Sequence, residues 1–113
     1  MIYIENFIDL LKKNKINFFT GVPDSVLKML GSSIEKSRNH IIASNEGAAV
    51  SIAAGYYLST KKIPMIYMQN SGLGNAVNPL LSITHKEVYS IPLVMIIGWR
   101  GAPGLNDEPQ HKV

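Results

Sequence analysis

Four short apolar segments recur along the chain, each preceded by a stretch of helical periodicity and followed by polar or glycine-rich residues. Continuously apolar segments of this length are typical of strands buried on both faces of a parallel sheet. The alternation of helix and strand favours an α/β fold with helices on both faces of a mostly parallel sheet. The strands are predicted at 16–19, 40–43, 64–68 and 92–97.

The predicted helices separate these strands. Ile4, Phe7, Ile8 and Leu11 recur at helical spacing, which predicts a helix over 4–14. Three further helices are predicted: one beginning near Asp24 or Ser25 and continuing to about 34, one over 46–58 that is rich in small residues, and one over 74–83 with an irregularity near Pro79.

Composition limits the classes of function. The 113 residues are 46% hydrophobic and 17% charged, which suits one globular domain or part of one. The net charge of +3 comes from scattered lysines without a basic stripe, so nucleic-acid binding is disfavoured. No apolar run is long enough to span a bilayer, cysteine is absent, and the first residues lack a signal-peptide pattern, so we expect a cytoplasmic protein without membrane contact.

The polar segments after the four strands indicate where a ligand would bind. They cover 20–25, 44–47, 69–75 and 99–101, and parallel topology places them along one edge of the sheet. Ligands of open α/β sheets bind at that edge. Helix caps and turns require the same residue types, so the pattern alone leaves a binding site and plain connecting turns both open.

Glu46 is the first candidate within these segments. An acid in the first turn of a helix is stabilised by the helix dipole, by roughly 0.3–1 kcal/mol, without any further role. A partly desolvated carboxyl at the same place could instead exchange a proton with a bound base. The small residues that follow, from Gly47 to Gly55, leave room for another helix or a flat ring to approach.

The other candidates carry weaker signals. Gly72 and Gly74 resemble part of a phosphate-binding loop, but the third glycine is missing and a turn into a helix is the simpler interpretation. Arg100 follows a strand and could bind an anionic group or simply be exposed. His111 by itself indicates a surface histidine, and a metal site formed with Asp107 and Glu108 is disfavoured. His40 and His85 are interpreted as without function.

Four segments together resemble a known family. They are residues 19–25 (FTGVPDS), 45–49 (NEGAA), 69–75 (QNSGLGN), and 97–101 (IGWRG) with 107–111 (DEPQH). In this order they resemble the phosphonopyruvate decarboxylases and the related sulfopyruvate decarboxylases, which depend on thiamine diphosphate. The resemblance covers nearly the whole chain, and the segments around Arg100 and His111 are its most specific part.

The resemblance implies a pyrimidine-binding domain with a mostly parallel six-stranded sheet. Glu46 matches the glutamate that hydrogen-bonds the aminopyrimidine ring and promotes its imino tautomer, which helps remove the thiazolium proton. Asp24 and His111 match acid-base residues, and the turn formed by Gln69, Asn70, Ser71 and Gly72 would lie near the cofactor ring or the substrate. From the chemistry of its side chain rather than from the resemblance, Arg100 is expected to contact the anionic head group of a 2-oxo acid, together with Ser25 and Asp24.

The resemblance also implies parts that this sequence lacks. The diphosphate and Mg²⁺ of such enzymes are held by a second domain with a glycine-aspartate-glycine motif, which is absent here, and no metal ligand is predicted in this chain. We therefore expect 1–113 to be an incomplete pyrimidine-binding domain, active only with a diphosphate-binding domain or subunit, in a homo- or hetero-oligomer.

Other functions remain possible at this level. The chain could be a sulfopyruvate decarboxylase alpha-type subunit, for which separate subunits are typical, or a non-catalytic remnant that kept the fold. A flavodoxin-like nucleotide binder is disfavoured because the glycine fingerprint is incomplete.

Overall fold

The computed structural model describes residues 2–112, which form one parallel sheet flanked by helices. The elements in chain order are α1 (Ile4–Lys13), β1 (Phe19–Gly21), α2 (Lys28–Ile34), β2 (His40–Ile42), α3 (Glu46–Thr60), β3 (Met65–Gln69), α4 (Leu73–Thr84) and β4 (Val94–Gly98), with 3₁₀ turns at Asn70–Gly72 and Pro109–His111. The predicted α/β fold is confirmed. None of these helices combines the length and apolar character that a membrane span requires.

The strand order, β2-β1-β3-β4, sets the position of the site. All neighbouring strands are parallel, so the carboxyl ends of all four lie at one edge of the sheet. From β1 the chain moves outward to β2, whereas from β3 it moves in the opposite direction to β4. The crevice between the ends of β1 and β3 is therefore the topological switch point, where open α/β sheets bind their ligands.

Apolar residues pack on both faces of the central strand β3. Met65 and Tyr67 face a core that includes residues of α1 and α2, such as Leu11, Leu30 and Ile34. Ile66 and Met68 face a second core with residues of α3 and α4. Because successive strand residues point to opposite faces, these four residues of β3 anchor both helical layers to the sheet.

Two predicted boundaries were wrong around the first polar segment. Strand β1 was predicted at 16–19 but spans Phe19–Gly21, because pairing with β2 and β3 begins at Phe19. Thr20 is fully buried, and Gly21 is needed there because a side chain would overlap Tyr67. Helix α2 begins at Lys28 rather than near Asp24, and neither Asp24 nor Ser25 caps it.

The expectation that every strand is buried on both faces is wrong for β2. Ile41 and Ile42 are 45% and 58% exposed, because β2 lies at the edge of the sheet and is only three residues long. The resemblance implied six strands, whereas the described residues form four. The strand pattern of the sequence therefore indicates the central part of the sheet better than its margins.

Candidate functional site

Glu46 begins α3 at the carboxyl edge of the sheet. Asn45 caps this helix through its side-chain oxygen, which accepts a hydrogen bond of 2.9 Å from the Ala48 amide. The Glu46 Oε2 atom accepts a hydrogen bond of 3.0 Å from Asn75 Nδ2. The carboxyl is half-buried. The start of α3 and the side-chain amide of Asn75 in α4 together hold the carboxylate at the carboxyl edge of the sheet.

Gly72 makes this position of Glu46 possible. A methyl group built on Gly72 would overlap the Glu46 carboxylate, so any side chain at residue 72 would displace it. Gly47 has a similar role one residue after Glu46, because a methyl group there would lie 3.0 Å from the Asn75 carbonyl oxygen. The glycines at 47 and 72 thus allow α3, α4 and the Asn70–Gly72 turn to approach closely around one carboxylate.

Asp24 lies at the adjacent strand end. A methyl group on Gly98, the last residue of β4, would overlap the Asp24 carboxylate. Both Asp24 carboxylate oxygens are shielded from solvent and have no hydrogen-bond partner within residues 2–112, and the same is true of Thr20 Oγ1. Buried polar atoms without partners are rare in folded proteins. Asp24 is therefore a group for which a bound ligand could supply the missing donor.

A cavity of about 430 Å³ opens beside Asp24. It lies between the end of β1 and helix α2, and polar side chains line much of it. Lys28, Glu35 and the hydroxyls of Ser25 and Ser32 are among these residues. Asp24 and Ser25, the two predicted substrate-binding residues of this segment, both line the cavity.

Asn70 joins β3 to the segment that follows β4. Its Nδ2 donates to the carbonyl oxygens of His111 and Arg100 at 2.8 and 3.3 Å, and its Oδ1 accepts from the Arg100 amide at 3.1 Å. The Asn70 side chain is buried, so these bonds are protected from water. One residue at the end of β3 thereby fixes both Arg100 and His111 at the carboxyl edge.

The carboxylate of Asp107 binds the guanidinium of Arg100. The Asp107 carboxylate accepts from Arg100 Nε at 3.1 Å and from Arg100 Nη2 at 2.9 Å, in a two-point ion pair. The sequence left Arg100 as either an exposed side chain or a ligand of an anionic group, and its partner Asp107 was missed. Because Asp107 lies only seven residues away, the loop after β4 folds back and supplies that partner within the chain.

His111 is not a surface histidine. It is 8% exposed, and its Nδ1 lies 2.7 Å from Asp107 Oδ1. The segment after β4 was expected to be an irregular loop, but it ends in the 3₁₀ turn Pro109–His111. The imidazole of His111 is buried in this turn. Sequence reasoning missed Asp107 as the residue that connects Arg100 to His111, although the four-residue spacing from Asp107 to His111 was a usable signal.

The remaining candidates have more modest surroundings. Gln69 donates a side-chain hydrogen bond to the Ser71 hydroxyl, so these two predicted cofactor-binding residues contact each other. His40 Nε2 lies 2.7 Å from the Tyr67 hydroxyl, and burial lowers the pKa of His40. His85 is exposed. Asn75 and Gly98 were also missed, because amides and glycines near helix starts and strand ends are common without function.

The site therefore consists of four predicted groups along one edge: Glu46 with Gly72, Asp24 beside its cavity, and Arg100 and His111 fixed through Asn70. Within residues 2–112, no group of three or more histidine, aspartate or glutamate side chains is arranged to hold a metal ion. The arrangement brings carboxylates and an imidazole, which are side chains able to carry protons, to this edge.

Comparison with known proteins gives a family context for this arrangement. Phosphonopyruvate decarboxylase from Streptomyces hygroscopicus is 42% identical over 93 residues, which cover 80% of this chain and 22% of that protein. Sulfopyruvate decarboxylase subunit alpha from Methanocaldococcus jannaschii is 41% identical over 93 residues, covering 80% of this chain and 53% of the subunit. The chain thus spans about a fifth to a half of the length of these relatives.

Solved structures and a family model agree with these relatives. Benzoylformate decarboxylase from Polynucleobacter necessarius superimposes with a TM-score of 0.77 at 27% identity, over 96% of this chain and 20% of that one. A thiamin diphosphate-dependent enzyme from Mycobacterium smegmatis shares the fold, with a TM-score of 0.74 at 20% identity, over 88% of this chain and 19% of that one. The model of the thiamine pyrophosphate enzyme N-terminal TPP binding domain matches residues 1–113. The chain belongs to the thiamine pyrophosphate enzyme family, and its matched region is the N-terminal TPP binding domain.

Proposed function

We propose that this chain forms the pyrimidine-binding half of a thiamine-diphosphate-dependent decarboxylase that converts 3-phosphonopyruvate to phosphonoacetaldehyde and carbon dioxide. The observation that carries the proposal is the Glu46 carboxylate, which is held at the carboxyl edge of the sheet by Asn75 and packs closely against Gly72. A half-buried carboxylate at this place is suited to share a proton with a nitrogen base.

We expect a flat heteroaromatic ring to bind beside Glu46. Gly72 presents bare backbone beside the carboxylate, and the turn that begins after Gln69 offers polar atoms close by. We therefore assign pyrimidine binding to Glu46, Gln69, Asn70, Ser71 and Gly72. When bound, thiamine diphosphate would supply the electron sink for loss of carbon dioxide. This chain would contribute the proton exchange at Glu46 and the shape of the ring pocket.

Asp24 and His111 are the proposed proton carriers for the substrate. Replacing the carboxylate of a 2-oxo acid by hydrogen consumes one proton, so an acid near the reacting carbon is needed. The unpartnered Asp24 carboxylate beside a cavity, and a buried His111 at the same sheet edge, support these roles. Both groups lie within hydrogen-bonded or closely packed contact of a strand end, so their positions are defined by the sheet.

Arg100 and Ser25 are the proposed ligands of the anionic head group. The Arg100–Asp107 ion pair uses Nε and Nη2, which leaves Nη1 outside that pair. A phosphonate or sulfonate could bind there without breaking the pair. The ion pair would then orient the guanidinium rather than compete with the substrate.

Phosphonopyruvate and sulfopyruvate are the two candidate substrates. The relatives include both phosphonopyruvate and sulfopyruvate decarboxylases at nearly equal identity, so sulfopyruvate is the second candidate. Because some of these relatives are alpha subunits, a hetero-oligomer with a separate partner subunit is a reasonable arrangement for this chain. We further propose that this partner binds the diphosphate and Mg²⁺, since residues 2–112 include no side-chain group suited to a metal ion.

The test is decarboxylation of phosphonopyruvate and sulfopyruvate in the presence of thiamine diphosphate and Mg²⁺. The chain is assayed alone and with a candidate diphosphate-binding subunit. We expect turnover only in the combined sample, with the faster substrate settling the specificity. Turnover by neither sample, despite binding between the two subunits, would contradict the proposal and favour a folded remnant without catalytic function.

A further inference from the structure

The loop after β4 brings three functional groups to the Asp107 carboxylate. Asp107 Oδ1 accepts from Arg100 Nη2, from the Glu108 amide at 2.8 Å and lies 2.7 Å from His111 Nδ1, while Oδ2 accepts from Arg100 Nε. The side chains of Asp107 and His111 are 16% and 10% exposed. The interaction between them is therefore shielded and sterically defined.

The protonation state of Asp107 decides which nitrogen of His111 carries a proton. The His111 hydrogen bond, followed by the Glu108 amide and Arg100, holds the pKa of Asp107 well below its usual range. An ionised carboxylate can only accept hydrogen bonds. The Nδ1 atom of His111 must then be the donor, and Nε2 of the neutral ring carries no proton.

The other side of His111 is held by Asn70. The His111 carbonyl oxygen accepts from Asn70 Nδ2, and Asn70 begins the turn in which Gly72 covers Glu46. His111 Nε2 makes no hydrogen bond with any residue from 2 to 112. The ring is thus fixed through its backbone and through Nδ1, whereas Nε2 has no partner among residues 2–112.

We infer that Asp107 is a positioning residue, which fixes His111 in the tautomer that leaves Nε2 free to exchange a proton at the site. Asp107 acts through His111 and needs no contact with substrate. When Nε2 gains a proton, the adjacent carboxylate stabilises the imidazolium, and the same proton is returned on transfer to substrate. The catalytic role of Asp107 rests on the proposed function, whereas the tautomer of His111 does not depend on it.

The tautomer is measured first, by ¹⁵N NMR of the histidine side chains in the full chain. The His111 signals are identified by their loss in His111→Gln. We expect a protonated Nδ1 and a bare Nε2 in the wild type at a pH where the ring is neutral, and loss of this preference in Asp107→Ala. A wild-type His111 with its proton on Nε2 would overturn the inference without any variant.

Arg100→Met is the matched control. It removes the other side chain bound to Asp107 but keeps the contact between Asp107 and His111, so we expect the wild-type tautomer. Arg100→Met could also change the tautomer as much as Asp107→Ala does. In that case the change would be caused by disruption of the loop after β4, and direct positioning of His111 by Asp107 would be wrong.

The catalytic role of Asp107 is tested by substrate turnover, assayed with this chain and its diphosphate-binding partner together. We expect Asp107→Ala to lower turnover about tenfold to hundredfold, and to have little further effect in a His111→Gln background, because residues that act as a unit are non-additive. Full additivity, or normal turnover of Asp107→Ala, would overturn the positioning role while leaving the proposed function intact. Absence of turnover in the wild type would contradict the proposed function, and NMR would still decide the tautomer.

Discussion

Two loops at the carboxyl edge of the sheet differ in how their polar groups are satisfied. In the loop after β4, Arg100, Asp107 and His111 form a connected network of hydrogen bonds and ion pairs with Asn70. In the loop after β1, both oxygens of Asp24, which pack against Gly98 at the end of β4, are buried without a partner in residues 2–112. A satisfied network rigidifies a structure, whereas an unsatisfied buried group costs stability unless a ligand supplies its partner.

The loop after β4 is held by contacts within the protein, whereas the loop after β1 carries a buried carboxyl whose partner we propose to be a ligand. Glu46 lies at the same edge of the sheet, with one hydrogen bond from Asn75 and a close backbone neighbour at Gly72. The unfolding free energy should therefore change in opposite directions when the two loops are substituted. Substitutions in the network should lower stability, and substitutions at Asp24 should raise it while lowering turnover.

Displacing the Glu46 carboxylate should have the largest effect. In Gly72→Ala the new methyl group overlaps that carboxylate, and a shift of about 1 Å at a catalytic group lowers turnover by roughly a hundredfold. Gly74→Ala is the matched control, because a methyl group there meets nothing within 4 Å. Steady-state kinetics with the diphosphate-binding partner measures both variants, and equal turnover would show that Gly72 does not position Glu46.

Breaking the network should have the next largest effect. Asn70→Ala leaves the buried carbonyl oxygens of Arg100 and His111 without their donor, so we expect a loss of about 2 kcal/mol in unfolding free energy. Chemical denaturation measures this loss. Asn78→Ala on exposed α4 surface should stay within about 0.5 kcal/mol of the wild type. Similar stabilities of the two variants would contradict a structural role of Asn70.

The opposite sign is expected at Asp24. Asp24→Asn removes a buried carboxylate charge that lacks a partner, so the unfolding free energy should rise by about 1 kcal/mol while turnover falls. Asp9→Asn, on an exposed face of α1, should change neither quantity appreciably. Destabilisation by Asp24→Asn would mean that the carboxylate contributes to the fold and does not await a ligand.

Acid should weaken the network through Asp107. Because the pKa of Asp107 is lowered in the folded chain, its stabilising contribution is full above the usual carboxyl pKa of about 3.9 and is lost as the pH falls below that value. The stability difference between wild type and Asp107→Asn should therefore shrink as the pH is lowered from about 6 to about 3. A difference that stays constant over this range would exclude an ionised, network-bound Asp107.

The sequence predicted the sheet and the candidate residues better than the connections between them. Apolar segments such as 64–68 were recognised because burial on both faces leaves a strong signal, and parallel topology then placed Glu46, Asp24 and Arg100 at one edge. The start of α2 was missed because Pro23 and Asp24 resemble a helix start yet belong to a turn that seats Asp24 on Gly98.

Composition and periodicity did not predict the Asp107 network, although the four-residue spacing from Asp107 to His111 was a signal for one of its contacts. The network depends on the path of the loop after β4, and that path is set by tertiary contacts with Asn70 rather than by local preference. The same reason explains why the Asp107 partner of Arg100 was missed and why His111, taken by itself, was interpreted as a surface histidine. Side chains whose partners come from a folded-back loop leave little trace in a sequence.

Glu46→Gln tests the central claim most directly, since the substitution keeps the shape of the side chain but removes its capacity to share a proton. We predict that turnover of the combined enzyme falls by about 10²- to 10⁴-fold, with the circular dichroism spectrum and unfolding midpoint close to wild type. Glu87→Gln, at an exposed position, should retain full turnover. Near-normal turnover of Glu46→Gln would contradict the account, because the geometry around Gly72 and Asn75 would then serve packing alone.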